Sequence, residues 1–384
     1  MVEWREEGGK VLHKYFEELT DKRQGWKIKH NLLEIVVVAI CAVMTGIDSW
    51  WQIADFAKVK LDWLRQRLGL RLEKGAPSHD TFRRVFELIN PREFEKCFVD
   101  WVRATVQITE GEVVGIDGKT LRGSRKGDNP PIHLVGAWAS KSRVILGQTK
   151  TGSKSNEITA IPDLLEMLDL KGCIVTIDAM GAQTKIAEKI AEHNDYVLAV
   201  KENREKLYKD ILFYFEEALQ DKALYFSENN LKTAEKAHGR IEIRRYYLET
   251  DIDWLRQNHS FSSLNAIGAV EASIERNGKA TFERRYYITT LTDVKTFANA
   301  VRSHWGIENS LHYCLDVTFN EDRLTHRVDN APENFSVVRR IVLNLAKNYD
   351  PDPASKEKIS VRAKLKKCEY DPAFLSDLLA SALL

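Results

Sequence analysis

Two aspartates each follow a short apolar run of the chain. Asp117 ends a run that begins at position 113, and Asp178 ends a run that begins at position 174. Such runs predict buried β-strands. Where two strands are neighbours in an α/β sheet, their ends lie side by side, and a pair of carboxylates there is costly unless a cation binds it. Asp117 and Asp178 therefore form a candidate cation site.

A third acid, Glu308, lies on a long predicted helix that Thr292 or Asp293 can cap. Carboxylate oxygens are ligands that suit Mg²⁺ or Mn²⁺. Two strand aspartates and one helix glutamate would form a clamp for two divalent ions, an arrangement suited to phosphodiester chemistry. We therefore predict that Asp117, Asp178 and Glu308 are both metal ligands and catalytic residues.

The long helix also permits a different metal site. It carries a polar stripe with one residue every four positions, formed by His304, Glu308, His312 and Asp316. The stripe does not have the H-E-x-x-H spacing of zinc proteases, and it drifts around the helix. A zinc site and a plain solvated face are the two alternatives for this helix.

Two other interpretations of the segment around Asp117 fail on single residues. Gly118, Lys119 and Thr120 resemble the end of a phosphate-binding loop, but position 113 holds Val where that loop needs Gly. The same segment resembles the aspartyl-phosphate hydrolases, but position 115 holds Gly where they need a second Asp. Both function classes are excluded.

Composition favours a folded protein with more than one domain. The chain has 384 residues, with 43% hydrophobic and 29% charged residues and a net charge of only +1. Its basic residues are concentrated in two stretches. Residues 119–154 contain eight basic side chains and one acid, and residues 356–367 contain six and one. Each stretch is either a DNA-facing surface or a solvated face.

Several classes of protein do not fit this sequence. The longest apolar run, residues 35–44, is shorter than the about 20 residues that a membrane-spanning helix needs. The first ten residues have no apolar stretch of signal-peptide length. The five cysteines are scattered and form no C-x-x-C pair, so neither a disulfide framework nor a zinc knuckle is indicated. We expect a cytoplasmic protein with no membrane partner.

The elements that must position the three acids begin after a helical region. Residues 1–108 predict an N-terminal helical domain, in which Arg83 and Arg84 give a weak indication of DNA recognition. Its predicted helices cover residues 31–44, 50–69, 78–89 and 91–106.

Residues 109–202 predict the first part of an α/β core. The element order is β-β-β-α-β-α-β, which implies a meander followed by parallel strands. The predicted strands are 112–119, 133–140, 143–151, 173–178 and 196–201, and the predicted helices are 157–169 and 184–193.

Residues 203–291 interrupt this alternation and predict an inserted β-rich subdomain with its own small antiparallel sheet. Asn277 and Gly278 mark a hairpin turn within it. The core resumes over 292–350 with the helix that carries Glu308, and residues 351–384 form a basic tail and a helix. The expected fold class is α/β, with a mixed sheet, a β-rich insertion and N-terminal helices.

The element order is similar to the ribonuclease-H-like core of DDE transposases, whose acids lie on the first strand, the fourth strand and a late helix. Several phrases narrow the resemblance to the H-repeat-associated insertion-sequence transposases, and they extend over nearly the whole chain. They are Gly115-Ile-Asp-Gly-Lys-Thr-Leu-Arg-Gly-Ser124, Thr176-Ile-Asp-Ala-Met180, Tyr196-Val-Leu-Ala-Val-Lys-Glu-Asn203, His238-Gly-Arg-Ile-Glu242, His304-Trp-Gly-Ile-Glu-Asn-Ser-Leu-His312 and Leu315-Asp-Val-Thr-Phe-Asn-Glu-Asp322.

The resemblance implies a DNA transposase that cleaves insertion-sequence ends and joins them to target DNA. It implies two Mg²⁺ or Mn²⁺ ions per active site, held by Asp117, Asp178 and Glu308. It also implies double-stranded DNA as substrate, a homodimer on paired ends, and a location at the nucleoid of a prokaryotic cell. The basic side chains predicted to contact DNA are Lys119, Arg122, Arg125, Lys201, His238, Arg240 and His304.

The chain departs from one group of relatives beside Glu308. A Tyr-Arg-Glu-Lys signature would place Arg where His304 stands and Lys where Leu315 stands, so the DNA contacts of that signature are not carried over. Two alternative functions stay open. One is a ribonuclease-H-like nuclease that does not transpose, and the other is an inactive or domesticated transposase-derived protein that only binds DNA.

Overall fold

Short polar side chains begin the helices of the N-terminal region. These helices are α1 (Leu32–Met44), α2 (Trp50–Val59), α3 (Leu61–Leu68), α4 (His79–Leu88) and α5 (Pro91–Thr105). Asn31, Ser49 and Ser78 cap α1, α2 and α4 by accepting hydrogen bonds from backbone amides of the first turn. The single helix predicted over 50–69 is wrong, because the backbone leaves the helical region at Lys60 and α3 starts again, with Leu64 buried.

The computed structural model describes residues 14–152, 157–220, 229–237, 240–276, 278–355 and 357–381. His238, one of the predicted DNA contacts, lies outside the described residues. So does Asn277, the first residue of the predicted hairpin turn.

Nine strands in the described part of the chain form one mixed sheet. They are β1 (Val113–Leu121), β2 (Ile132–Ala139), β3 (Val144–Lys150), β4 (Ile174–Ile177), β5 (Asp195–Val200), β6 (Asn230–Ala237), β7 (Arg240–Glu249), β8 (Ala266–Arg276) and β9 (Lys279–Thr289). Their order across the sheet is β3-β2-β1-β4-β5-β9-β8-β7-β6. The antiparallel β1 to β3 meander and the parallel pairing of β4 with β1 and β5 confirm the predicted core.

The inserted region extends the core sheet. A separate small sheet was expected, but β9 pairs antiparallel with β5, from Val197 opposite Thr289 to Val200 opposite Tyr286, so β6 to β9 continue the core. The outermost strand, β6, was not predicted. Its sequence alternates poorly and carries two lysines and a glutamate, which is how natural edge strands avoid pairing with other chains.

The remaining helices cover both faces of the core strands. They are α6 (Glu157–Met167), α7 (Thr184–Ala191), α8 (Glu205–Gln220), α9 (Asp253–Asn258), α10 (Val294–Gly306), α11 (Tyr313–Val317), α12 (Ala331–Asn348), α13 (Val361–Tyr370) and α14 (Pro372–Ala380). On one face, α6, α7 and the N-terminal helices share an apolar core with Ile116 and Ile177. On the other face, α10 packs on Val113 and Ile174. Successive side chains of β1 therefore enter different layers.

The C-terminal helices join the N-terminal region to the sheet. The almost entirely buried helix α12 contacts α1, α4, α5 and β3, and α13 and α14 pack against α12 and α1. One cluster of contacting apolar side chains therefore includes residues from both ends of the chain, Phe16 and Leu379 among them. Among the described helices, none combines the length and the apolar character needed to cross a bilayer.

The contact between α10 and β8 gives a stability prediction. A Cβ at Gly268 would stand 2.3 Å from Cζ of Phe297, which is fully buried. We expect Gly268→Ala to lower the free energy of unfolding by about 1–3 kcal/mol through overpacking, measured by urea denaturation. Gly136→Ala is the matched control, because the nearest atom to its Cβ would be 3.8 Å away. Equal stability of the two variants would contradict this packing.

Candidate active site

The register of β1 and β4 places the two aspartates beside each other. Ile116 is opposite Ile177 in the last parallel pair, and Asp117 and Asp178 are the next residues on each strand. β4 ends there, whereas β1 continues to Leu121, so Asp117 lies inside its strand and not at its end as expected. Since both residues follow the same pair, their side chains project from the same face of the sheet.

Local hydrogen bonds orient both carboxylates. Asp117 Oδ1 accepts from the amide of Gly118 at 2.8 Å. Asp178 caps a short 3₁₀ turn (Ala179–Gly181), and its Oδ1 accepts from the amide of Met180 at 3.0 Å. Each aspartate keeps oxygen atoms for another partner.

Glu308 reaches the same face on a helix of changing pitch. α10 continues through a π-helical segment (Ile307–His312) into α11. π-Helical turns are rare overall, but those that occur often lie at functional sites. Glu308 is exposed in the first of these wider turns.

Two close contacts fix this helix against the sheet. A Cβ at Gly115 would stand 2.5 Å from Cδ1 of Ile307, so the glycine lets the helix approach β1 closely. One turn earlier, His304 Nδ1 is 2.9 Å from Thr176 Oγ1 on β4. The helix is thereby held to both strands that carry aspartates, next to Glu308.

The three acids line one cavity of about 680 Å³. Residues of β9, in the inserted part of the sheet, also line it, among them Glu283, Arg284 and Arg285. The guanidinium of Arg285 lies 4.3 Å from the ring of Trp305. The cavity is therefore lined by both carboxylates and basic side chains.

Burial and mutual repulsion make the carboxylates hard to ionise. Burial, together with the smaller effect of the charges of Asp178, Glu157 and Glu308, raises the pKa of Asp117 to about 7. Burial also raises the pKa of Asp178, against which the charge of Lys201 acts. Raised carboxylate pKa values are expected at a cation site when only the groups of the protein act on the carboxylates.

The donor set fits a hard divalent cation. All three acids offer oxygen, the ligand of Mg²⁺ and Mn²⁺, and their repulsion would be relieved by such an ion. Among the described residues, no three His, Cys, Asp or Glu side chains are yet close enough together to hold a metal.

The polar stripe of the long helix is divided among different partners. His304 is bonded to Thr176, and Asp316 accepts from the Lys119 ammonium at 2.6 Å. His312 Nδ1 lies 3.7 Å from Asp117 Oδ2, and burial lowers the pKa of His312 to about 4, which keeps it neutral. The stripe gives no support to a zinc site, because its members do not converge.

The predicted DNA contacts are placed unequally. Arg122 and Arg125 are exposed just after β1, and Arg240 is half exposed at the start of β7, 3.5 Å from Glu242. Lys201 is exposed at the rim of the cavity. Lys119 is different, because it is buried and bonded to Asp316. His304 also faces inward and is bonded to Thr176.

Sequence reasoning missed three residues of this region, namely His133, Glu157 and Arg285. None of them belongs to a motif, and each reaches the site only through the fold. Gly118 was a hint of a close neighbour, since its missing side chain leaves room for His133 and Glu157.

Comparison with known proteins identifies the family. The profile described as "Transposase DDE domain" matches residues 109–345, and the profile "DDE_Tnp_1-associated" matches residues 13–102. The chain belongs to the DDE transposase family. The ribonuclease-H-like α/β fold expected from the sequence is thereby confirmed.

The relatives of this DDE transposase family member agree with the narrower resemblance. The "H repeat-associated putative transposase YhhI" of Escherichia coli strain K12 is 39% identical over 97% of this chain and 98% of its own length. The "Putative transposase YncI" of Escherichia coli O157:H7 is 38% identical over 96% of this chain and 94% of its own length. An "Inactive transposase YbfQ" of strain K12 is 41% identical but matches only 20% of this chain.

The raised pKa of Asp117 predicts how stability depends on pH. Its pKa is 3.8 ordinarily and about 7 in the fold, so the stabilisation from its proton is complete below about pH 4 and is lost as the pH rises through 7. In metal-free buffer, Asp117→Asn should therefore exceed the wild type in free energy of unfolding at pH 8 by on the order of 1–3 kcal/mol, with little difference near pH 4. Urea denaturation at both pH values measures this.

The control for this experiment is Asp163→Asn, which changes an exposed carboxylate on α6. It should alter the free energy of unfolding by less than about 0.5 kcal/mol at either pH. A difference between Asp117→Asn and the wild type that is the same at both pH values would rule out the proposed protonation of Asp117.

Proposed function

We propose that this protein cleaves the ends of an insertion sequence and joins them to target DNA, with Asp117, Asp178 and Glu308 holding two Mg²⁺ or Mn²⁺ ions. The observation that carries the proposal is the register of β1 and β4. It places two aspartates next to each other in a cavity that Glu308 also lines. Membership of the DDE transposase family supports the same reaction class.

Each side chain has a distinct task in this mechanism. Asp117 and Asp178, fixed by their backbone hydrogen bonds, would hold the metal ions, and Glu308 would add a ligand from the helix. Such ions would activate the attacking hydroxyl, of water in cleavage and of a DNA 3′ end in joining, and would stabilise the leaving oxygen. Lys201 lies where it can neutralise a phosphate oxygen near Asp178.

DNA would approach from the side of the cavity that carries the exposed basic residues. Arg122 and Arg125 follow the strand of Asp117, and Arg284 and Arg285 lie across the cavity on β9. Both sets would contact phosphates rather than base edges, which positions DNA without reading its sequence. We place the protein on the bacterial chromosome, acting as a homodimer that holds two element ends.

The decisive experiment is incubation of the purified protein with its own flanking DNA and Mg²⁺. Cleavage followed by joining to a target plasmid supports a transposase. Cleavage without joining supports a nuclease, and binding without cleavage supports a DNA-binding derivative.

Removing one carboxylate should abolish the chemistry. We expect Asp117→Asn, Asp178→Asn and Glu308→Gln each to lower the rate of end cleavage by at least about 100-fold, because each loses a ligand that stabilises transition-state charge. DNA affinity in a gel-shift assay should change little. Glu110→Gln is the control, an exposed acid at the other end of β1. Wild-type cleavage by any of the three variants would remove that residue from the site.

The exposed arginines after β1 should make DNA binding sensitive to salt. Replacing both Arg122 and Arg125 with Ala should weaken binding and reduce the slope of log affinity against log salt concentration by about 1–2, as expected for two lost phosphate contacts. Lys171→Ala is the control, because Lys171 is exposed at the end of β4 away from Asp178. An unchanged slope in the double variant would show that the DNA backbone passes elsewhere.

A further inference from the structure

Glu157 is an acid beside the proposed site that no motif includes. It is the first residue of α6, and its side chain lies against Gly118, which directly follows Asp117. A Cβ at Gly118 would stand 1.9 Å from Glu157 Oε1, so only glycine leaves room for this carboxylate. Gly115 faces Ile307 and Gly118 faces Glu157, so α6 approaches β1 from the face opposite Glu308.

The sheet does not separate Glu157 from the aspartates. β4 ends at Ile177, so β1 has no neighbour on that side at Gly118. α6 packs there against the 3₁₀ turn that Asp178 caps. Glu157 therefore lies against β1 at the point where β4 stops, and its helix contacts the turn that begins after Asp178.

A chain of hydrogen bonds fixes the direction of the Glu157 carboxylate. Its Oε1 is 2.6 Å from His133 Nε2, and His133 Nδ1 is 2.9 Å from Thr120 Oγ1. The side chains of Glu157 and His133 are 17% and 29% exposed, so water competes weakly for these bonds. Such partners behind a carboxylate are typical of metal ligands, which are usually hydrogen-bonded in turn.

The charge of Glu157 acts on both aspartates. It raises the pKa of Asp117 more than Glu308 does, and it is the main charge that raises the pKa of Asp178. Placing a further acid beside two buried carboxylates is costly unless a cation offsets it. The nearby Lys119 ammonium does not, since Asp316 holds it.

We propose that Glu157 is a fourth carboxylate of the metal site, positioned by His133. This inference rests on the proposed function, because it needs a divalent ion at Asp117 and Asp178. Mg²⁺ takes about six oxygen ligands, which carboxylates share with water and substrate phosphates, so two ions have room for a further carboxylate. Glu157 contributes one of them from the face of the sheet that Glu308 does not reach.

A purely structural role makes a different prediction. An acid at a helix N-terminus is stabilised by the helix dipole, and a bond to His133 adds to this. Removing it would then lower the melting temperature and leave metal affinity unchanged. Metal affinity therefore separates the two roles.

The test is Mn²⁺ binding to the full-length protein, followed by the electron paramagnetic resonance signal of free Mn²⁺. Glu157→Gln should lower Mn²⁺ affinity by about 10-fold or more, and His133→Ala should lower it in the same direction by less. Glu166→Gln is the matched control, since Glu166 is an exposed acid on the same helix, paired with Lys189. It should bind Mn²⁺ as the wild type does.

A second variant guards against misfolding. Glu157→Asp keeps the negative charge, so it should retain more Mn²⁺ affinity than Glu157→Gln at a comparable melting temperature. Equal affinity of both variants and the wild type would overturn the fourth ligand. Asp117→Asn distinguishes failure of the fourth ligand from failure of the proposed function. If it lowers affinity while Glu157→Gln does not, the three-carboxylate site stands alone; if it has no effect, the proposed function loses its metal site.

Discussion

The repulsion between two partly buried carboxylates on adjacent strands is the constraint on which the rest of the candidate site depends. Asp117 and Asp178 are side by side because β1 and β4 pair in register up to the preceding residue, and no local sequence feature could achieve this alone. Burial keeps both away from the water that would otherwise screen them. The other contacts of the site either place a further acid near this pair or pair basic side chains with other acids.

The distribution of basic residues follows from this constraint. Lys119 lies two positions after Asp117, yet it donates to Asp316 and lies 3.9 Å from Asp322. Arg340 of α12 likewise forms an ion pair with Glu321, a fully buried acid in the segment that follows the long helix. Acids after Glu308 thus neutralise the nearest internal cations. Beside the aspartates, the charge of Lys201 lowers the pKa of Asp178.

Much of the core could be predicted because its elements have strong local patterns. The β-β-β-α-β-α-β order, the helix starts near Asn31 and Ser78, and the helix start at Asp293 all follow from residue types within a few positions. The break at Lys60 was missed because apolar periodicity runs through it. The strand β6 was missed because an exposed edge strand needs no apolar alternation.

The residues of the candidate site also differ in whether the sequence could predict them. Asp117, Asp178 and Glu308 stand in recognisable phrases, whereas Glu157 looks like an ordinary first residue of a helix. Its place beside Asp117 depends on a glycine 39 positions earlier and on where β4 ends. Similarly, the basic stretch around Lys119 predicts a DNA contact, but in the fold Lys119 donates a hydrogen bond to Asp316. Pairings between distant segments decide both cases, and periodicity carries no information about them.

The inserted strands belong to the active site because of how they join the sheet. Pairing of β9 with β5 makes the insertion a rigid continuation of the core, and residues 283–287 of β9 then form one wall of the cavity. Arg284 is held there by Glu271 of β8 at 2.7 Å, and Arg285 is held by Glu283 and by the Trp305 ring. A separate, loosely attached subdomain could not hold these guanidiniums at a constant distance from the aspartates. Continuity of hydrogen bonding across the sheet therefore joins the strand that carries Arg284 and Arg285 to the strands that carry the aspartates.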